Sequence, residues 1–223
     1  TIVDANFSFW GGVGIKLGDV SVSNPAGFGD GDFLAAENVD VKLQILPLLS
    51  GNYKIDRLVI NGPEISLNKR ADGTNNFTFE AMEKKVPPEL TEGVTPEAKA
   101  AAFADTFDQL EINSGRLNYV YDSSGTRFAL SGMKLSTSLT SPRERYYQSS
   151  GQIAVDTVEI DTEFPLPARA VLLDYSAVYD FSGKLLTLDE TRMAMNNIDI
   201  ALKGEVADPL DQIKSKVSVK SEK

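Results

Sequence analysis

The chain has 223 residues, of which 42% are hydrophobic, and a formal net charge of −10. This charge excludes binding to a phosphate backbone, which needs a concentrated basic surface, so we predict no nucleic-acid partner. The sequence contains neither cysteine nor histidine. That removes thiol nucleophiles, histidine general bases and most zinc sites, so we predict no catalytic residue, no metal and no cofactor.

The first strong element is an alternating run over residues 15–23, which predicts a β-strand. The preceding residues 1–9 are compatible with a strand or a short helix. A polar loop follows, and its carboxylates Asp30, Asp32 and Glu37 are the oxygen ligands that a hard cation prefers. They lack the D-x-D-x-D-G order of a calcium loop, so we interpret them as a solvated acidic turn.

The next strand is predicted by strict alternation of Val39, Val41, Leu43 and Ile45 with polar residues. A period of two places all four on one sheet face. Pro47 has no N–H for a ladder and ends the strand. The segment LPLLSG, residues 46–51, then predicts one helical turn, because Pro47 suits a first helical position and Gly51 suits a C-terminal cap.

A further alternating run covers residues 58–67 and is interrupted by Asn61-Gly62-Pro63, which reverses or bends the strand. Asp72-Gly73 then predicts a hairpin turn. The run LVINGPEISLNKRADGT from Leu58 lines up with LEINSGRLNYVYDSSGT from Leu110. Such repetition of strand units predicts a sheet that grows by addition.

A polar, proline-bearing connector is predicted over residues 83–109. It ends in a helix at about 95–109, with Thr95 as N-cap and Pro96 in the first turn. Phe103, Phe107 and Leu110 form one apolar stripe on this helix. We expect the helix to pack over the sheet, and a mobile lid or cap at the mouth of a groove is the alternative.

The remaining chain predicts short strands at close spacing. They lie near residues 128–139, 158–164, 168–175, 176–181, 185–188, 192–195, 198–206 and 213–219. Together with the earlier strands they predict a mainly β, mostly antiparallel architecture. We divide the chain into an N-terminal β unit at 1–82, the connector at 83–109 and a continuing β unit at 110–223.

Residues 17–77 contain several motifs in a characteristic order. They are the LGDVSVSNP run from Leu17, V-x-V-x-L-x-x-L-P-L-L from Val39, I-x-x-L-x-I-x-G-P-x-I-x-L from Ile55, and Asn75-Asn76-Phe77. In this order and spacing they resemble the AsmA family of bacterial envelope proteins. The resemblance implies an antiparallel, strongly curved β-groove, an open sandwich or taco-like sheet with one or two short helices.

The same resemblance implies a function. It predicts a non-enzymatic protein of the periplasm that binds or conducts phospholipid acyl chains between the inner and outer membranes and supports outer-membrane assembly. It also implies an inner-membrane anchor, and we expect the chain to be a piece of a longer protein.

Alternation selects the residues that would line such a groove, although it does not establish their exposure to lipid. The predicted lining residues are Val41, Leu43, Leu58, Ile60, Ile65, Leu67, Ile112, Leu117, Tyr119, Met133 and Leu135. Two other functions stay open at this point. One is a structural envelope module whose strands close over a dry core, and the other is a hydrolase or another enzyme.

Overall fold

The computed structural model describes residues 4–8, 13–49, 51, 54–77, 107–161, 166–196, 198–208 and 214–222. These residues form twelve strands and one short helix. In chain order the elements are β1 Asp4–Ser8, β2 Val13–Ser23, β3 Asp32–Leu43, α1 Ile45–Leu49, β4 Ile55–Asn61, β5 Glu64–Lys69, β6 Phe107–Tyr121, β7 Thr126–Arg143, β8 Tyr146–Asp161, β9 Leu166–Asp180, β10 Leu185–Met195, β11 Ile198–Ala207 and β12 Lys214–Glu222.

All twelve strands belong to one sheet. Its order is β1-β2-β3-β4-β6-β7-β8-β9-β10-β11-β12. Like β4, the strand β5 lies between β3 and β6 and pairs with both of them. Every pairing is antiparallel except those of β4 and β5 with β6. The predicted mainly β, mostly antiparallel fold is therefore confirmed, and strands from both predicted β units hydrogen-bond within the same sheet.

The strands β4 and β5 behave as one strand with a bend. On β3, Asn38 pairs with Asn61 of β4 and Leu34 pairs with Ile65 of β5, in one continuous register. Gly62 between them has φ 57°. Of the two predicted outcomes for Asn61-Gly62-Pro63, the triplet bends the strand and does not reverse it.

The two copies of the sequence repeat lie side by side. Leu58 pairs with Leu110 and Ile60 with Ile112 in the parallel ladder of β4 and β6. The ladder continues from β5 in the same register. Residues of β4 and β5 thus pair with their own counterparts in the second copy, and the second copy continues into an antiparallel hairpin with β7.

A line of left-handed residues crosses the sheet at neighbouring register positions, and we call it the bend line. Its members are Asp19 on β2 (φ 46°), Gly62 (φ 57°), Ser114 on β6 (φ 57°) and Gly132 on β7 (φ 64°). The alternation changes phase there. On β6, Leu110 and Ile112 have even numbers, whereas Leu117 and Tyr119 have odd numbers.

Both apolar sets nevertheless point to one side of the sheet. A Cβ on Gly115 would lie 3.2 Å from Ile112 Cγ2, 3.3 Å from Pro63 Cγ and 2.9 Å from Met133 Cε. Residues from both sides of the bend line therefore converge there. A left-handed residue turns the strand as a β-bulge does, and the phase change returns the following apolar side chains to the same face.

Two predicted elements differ from the structure. Ile45 does not extend β3: Gln44 N–H donates to Lys54 C=O at 2.9 Å, and Ile45 begins α1 with 47% of its surface exposed. Residues 107–109 belong to β6 and not to the end of a helix, because Phe107 pairs with Ile55 in the parallel ladder. The rest of the helix predicted at 95–109, including Phe103, and most of the connector lie outside the described residues.

Smaller differences concern strand lengths. The strands predicted at 168–175 and 176–181 are the single strand β9, and those at 185–188 and 192–195 are the single strand β10. The register of β10 shifts between Leu188 and Thr191, near Glu190 at φ 48°, which accounts for the break in its pattern. Residues 1–9, for which the sequence left strand and helix open, contain β1.

Candidate functional site: the apolar face of the sheet

One row of apolar residues crosses nine consecutive strands of the sheet, from β2 to β11. Each member is the direct register partner of the next, and such partners share a face. This central row consists of Leu17, Val39, Ile60, Ile112, Leu135, Ile153, Leu173, Met193 and Ile200. At about 4.8 Å per strand, the row extends for roughly 38 Å.

Further apolar rows flank the central row on the same face. Towards α1, Val41 pairs with Leu58, which pairs with Leu110. Beyond the bend line the rows continue with directly paired apolar residues. One is Leu34, Ile65, Leu117, Leu130 and Val158, and the next is Leu67, Tyr119, Phe128 and Ile160. We call the side of the sheet that carries all these rows the apolar face.

Every lining residue predicted from the sequence lies on β3 to β7 and within or next to these rows. Ile60, Ile112 and Leu135 belong to the central row, and Met133 is the partner of Gly115. All eleven are half-buried, and none is fully buried or fully exposed. Alternation thus selected residues that the fold brings together on one face of five neighbouring strands.

The sequence did not select the part of the central row that lies on β8 to β11. Ile153, Leu173, Met193 and Ile200 continue it without a gap. Each of them has a polar residue on one side and an apolar residue on the other, namely Ala154, Leu172, Ala194 or Ala201, so strict alternation does not mark them.

The apolar face has little cover among the residues whose side chains the structure describes. Only nine of these are buried: Ala36, Pro63, Asn76, Phe107, Gly115, Tyr147, Val155, Phe181 and Thr191. The members of the central row are half-buried. Within the described residues no second sheet layer closes over this face, because such a layer would bury the row.

The opposite face is polar and carries ion pairs across the strands. Lys42 Nζ lies 3.0 Å from Asp56 Oδ2, and Arg57 Nη2 lies 2.6 Å from Glu111 Oε2. The hydrogen bond to Glu111 raises the pKa of the Arg57 guanidinium above its ordinary value. This pairing of charges keeps the polar face solvated and marks it as distinct from the apolar face.

An asparagine ladder lies on the polar face beside the bend line. Asn113 Nδ2 donates to Asn61 Oδ1 at 2.9 Å, and Asn61 Nδ2 donates to Asn38 Oδ1 at 2.7 Å. Asn61 and Asn113 are equivalent positions of the sequence repeat. The ladder therefore fixes the register of β3, β4 and β6 at the point where the sheet bends.

Three hydroxyl groups interrupt the apolar face on β7, β8 and β9. Ser149 Oγ lies 3.1 Å from both Thr137 Oγ1 and Tyr175 OH, and Thr137 Oγ1 also hydrogen-bonds Tyr175 OH. Thr137 and Tyr175 are both register partners of Gly151. With no side chain on Gly151, the ring of Tyr175 reaches across β8 to Thr137.

An aromatic cluster lies near the end of the same strands. The rings of Tyr147 and Phe181 have centroids 5.1 Å apart, and those of Tyr179 and Phe181 are 4.2 Å apart, both edge to face. Tyr147 and Phe181 are among the few buried residues, at 5% and 4% exposure. This cluster closes the apolar face at the turn between β7 and β8.

The described part of the chain has no helix of a length and hydropathy that would span a bilayer. Within the same residues, no three acidic side chains converge in a way that would hold a metal ion. The predicted absence of a metal in the function stays a prediction.

The model of the AsmA family matches residues 6–218. The similarity thus extends far beyond the motifs in residues 17–77 and covers the whole of the central row. No curated protein matches the chain.

Proposed function

Since the chain belongs to the AsmA family of bacterial envelope proteins, we propose that it binds phospholipid acyl chains along the apolar face of its sheet. The observation that carries the proposal is the unbroken central row across nine strands. A buried core needs apolar side chains in contact with one another, whereas a lipid surface needs them continuous and accessible. The central row is continuous, and its members are half-buried.

The energetics favour this task. Transfer of an acyl chain into water costs about 0.8 kcal/mol of free energy for each exposed methylene. The barrier for a chain of ordinary length is therefore on the order of 10 kcal/mol. An apolar surface that accompanies the chain removes most of this barrier without nucleotide hydrolysis. The row length of roughly 38 Å exceeds the hydrocarbon thickness of one leaflet, about 15 Å, so an acyl chain has room to move along it.

The two faces of the sheet have different roles in this proposal. Acyl chains lie on the apolar face, and the ion-paired polar face stays in water. We place the protein in the periplasm, attached to the inner membrane, where such a surface conducts phospholipid towards the outer membrane and supports its assembly. The central row runs across the strands and therefore provides an axis along which an acyl chain can move.

No catalytic step is needed for this function. The chain has no histidine or cysteine. Described carboxylates such as Asp56 and Glu111 pair with cations on the polar face, away from the proposed lipid surface. We therefore propose a protein without enzymatic activity or cofactor, and EDTA is expected to change neither its melting temperature nor its lipid binding.

Site-specific photo-crosslinking in cells tests the proposal. A photoreactive residue is placed on the apolar face of the full-length protein, at Leu43, Ile65 or Leu135. The matched controls are one residue away on the polar face, at Lys42, Ser66 and Lys134, and all three are exposed. Phospholipid is expected to label at the first set and not at the second.

Two results contradict the proposal. Equal labelling at both sets means that lipid contacts the protein without preference for the apolar face. Labelling at neither set, with protein cross-links at Leu43, Ile65 and Leu135 in its place, means that another polypeptide covers this face. The structural envelope module is then the better function.

A further inference from the structure

The cluster of Thr137, Ser149 and Tyr175 is the one polar interruption of the apolar rows that combines three side chains among the described residues. Thr137 occupies the register position after Leu110 in the row beside the central row. It lies two residues along β7 from Leu135, a distance of about 7 Å. The cluster therefore borders the central row on one side and the aromatic cluster of Tyr147 and Phe181 on the other.

The three hydroxyls belong to residues that are partly exposed on the apolar face. All three residues are half-buried, in the same range as the central row. Their hydrogen bonds join the hydroxyls to one another, and Thr137 Oγ1 also lies 3.4 Å from the Ser150 carbonyl oxygen. Hydroxyl hydrogens rotate freely, so one O–H can turn from a neighbour to an incoming acceptor while the others stay bonded.

We propose that Thr137, Ser149 and Tyr175 form a subsite that hydrogen-bonds the carbonyl oxygen at the head of an acyl chain, in a phospholipid ester or in a free fatty acid. This inference rests on the proposed function. An acyl chain along the central row has its apolar length satisfied by Leu135, Ile153 and Leu173. Its carbonyl needs a donor, and the neighbouring row supplies donors at this cluster, whereas the Thr191 hydroxyl in the same row is buried.

The cluster also has a packing role, because the ring of Tyr175 covers Gly151. A Cβ on Gly151 would meet the Ser136 carbonyl and lie 2.8 Å from Thr137 Cα, so β7 and β8 approach closely at this point. A role in packing alone affects stability and treats all apolar ligands alike. A carbonyl subsite distinguishes ligands that carry the oxygen from ligands that do not, and this difference is the basis of the test.

The experiment measures displacement of a fluorescent apolar dye from the whole chain. The competitors are octadecane, methyl palmitate, palmitic acid and a dipalmitoyl phospholipid, all delivered from cyclodextrin. The variants are Thr137→Val, Ser149→Ala and Tyr175→Phe, each of which removes a hydroxyl and keeps most of the side-chain volume. The control is Ser138→Ala with Ser150→Ala, whose hydroxyls lie 3.2 Å apart on the same two strands but on the polar face.

Each cluster variant is expected to bind methyl palmitate and the phospholipid roughly fivefold more weakly than the natural chain, the effect of one lost hydrogen bond. Octadecane binding is expected to stay within twofold, and the control variant is expected to bind all competitors normally. Loss confined to palmitic acid identifies a carboxylate subsite. Loss confined to the two esters identifies an ester subsite.

Unchanged binding of every competitor by the cluster variants would overturn the subsite while leaving the lipid surface intact. Equal weakening of octadecane and ester binding would overturn it as well, because that is the effect of altered packing. Failure of the natural chain to bind any competitor refutes the proposed function itself. If Thr137→Val does not fold, Tyr175→Phe still decides, because it retains the ring over Gly151.

Discussion

Gly132 of β7 faces Asp156 of β8 so closely that a Cβ at position 132 would overlap the carboxylate of Asp156. Gly132 also has φ 64°, in the left-handed region. Both constraints arise from its place on the bend line. Glycine is the residue that satisfies them, because it has no Cβ and adopts this conformation at little cost.

We expect Gly132→Ala to lower the free energy of unfolding by about 2–3 kcal/mol, the sum of backbone strain and steric overlap. Urea denaturation measures the change. Gly125→Ala is a matched control, because Gly125 has the same φ of 64° and no atom within 4 Å of an added Cβ. The loss of unfolding free energy in Gly125→Ala therefore measures the backbone strain alone, about 1 kcal/mol. Equal losses in the two variants would show that Asp156 moves aside freely.

The strands were predictable because alternation is local. Val39, Val41 and Leu43 lie on one face as expected, and α1 follows at the predicted place. The end of β3 was not predictable, since it depends on the hydrogen bond from Gln44 to Lys54, ten residues further along the chain. The bend line was also missed, because Asp19 and Ser114 adopt left-handed φ without the glycine that normally marks it.

The arrangement of the site required the fold. The repeat of Leu58 and Leu110 was recognisable, but a repeat has the same sequence whether its copies pair as parallel neighbours or lie apart. The hydroxyl cluster gave no sequence signal, since Thr137, Ser149 and Tyr175 are brought together only by the register of three strands. Predicted lining residues lay on the correct face because a period of two fixes relative direction within each strand.

Asn76 is the most buried polar residue described, with 2% exposure. Its Nδ2 donates to Asn24 Oδ1 at 2.8 Å and to Ser66 C=O at 2.7 Å, and its Oδ1 accepts from Asn68 N–H at 2.7 Å. We expect Asn76→Ala to cost about 3 kcal/mol in thermal or urea unfolding, because it removes three hydrogen bonds from a part-buried network.

The asparagine ladder provides the comparison for Asn76. Asn113 is exposed and donates one described side-chain hydrogen bond, to Asn61. Asn113→Ala is expected to cost less than about 1 kcal/mol, since water replaces the lost partner. A similar small cost for Asn76→Ala would contradict the structural role assigned to its network.

Asp72 stabilises the turn after β5 in a pH-dependent manner. Its carboxylate accepts from the Thr74 hydroxyl at 2.6 Å and from the Thr74 N–H at 2.9 Å, which lowers the pKa of Asp72 below its ordinary value of 3.8. The folded-state pKa lies below the unfolded one. The stabilisation is therefore fully present above about pH 4 and is lost as pH falls through the folded pKa.

An NMR titration of the Thr74 amide shift measures this pKa. The midpoint is expected below 3.8 in the natural chain. Thr74→Val, which removes the hydroxyl donor and keeps the backbone donor, is expected to raise the midpoint towards the ordinary value. Asp72→Asn removes the titration. A midpoint that does not move in Thr74→Val would mean that the hydroxyl makes no contribution.

The parallel pairing of the two repeat copies predicts a specific cross-link. Ser66 of β5 and Asn118 of β6 are register partners, and both are exposed. Neighbouring strands lie about 4.8 Å apart, within the 4.4–6.8 Å range of Cα separations that a disulfide spans. The chain has no native cysteine, so Ser66→Cys with Asn118→Cys is expected to form one intramolecular disulfide on mild oxidation.

The control places the second cysteine at a position of β6 that is out of register with Ser66. Asn113 is the partner of Asn61, not of Ser66. Its position is five residues from Asn118 along β6, a separation of about 16 Å. Ser66→Cys with Asn113→Cys is therefore expected to stay reduced under the same conditions, as thiol labelling and electrophoretic mobility report. Formation of both disulfides would indicate that β5 and β6 shift their register relative to each other. Formation of only the second would contradict the parallel register, and with it the alignment of Ile60 with Ile112 that makes the central row continuous.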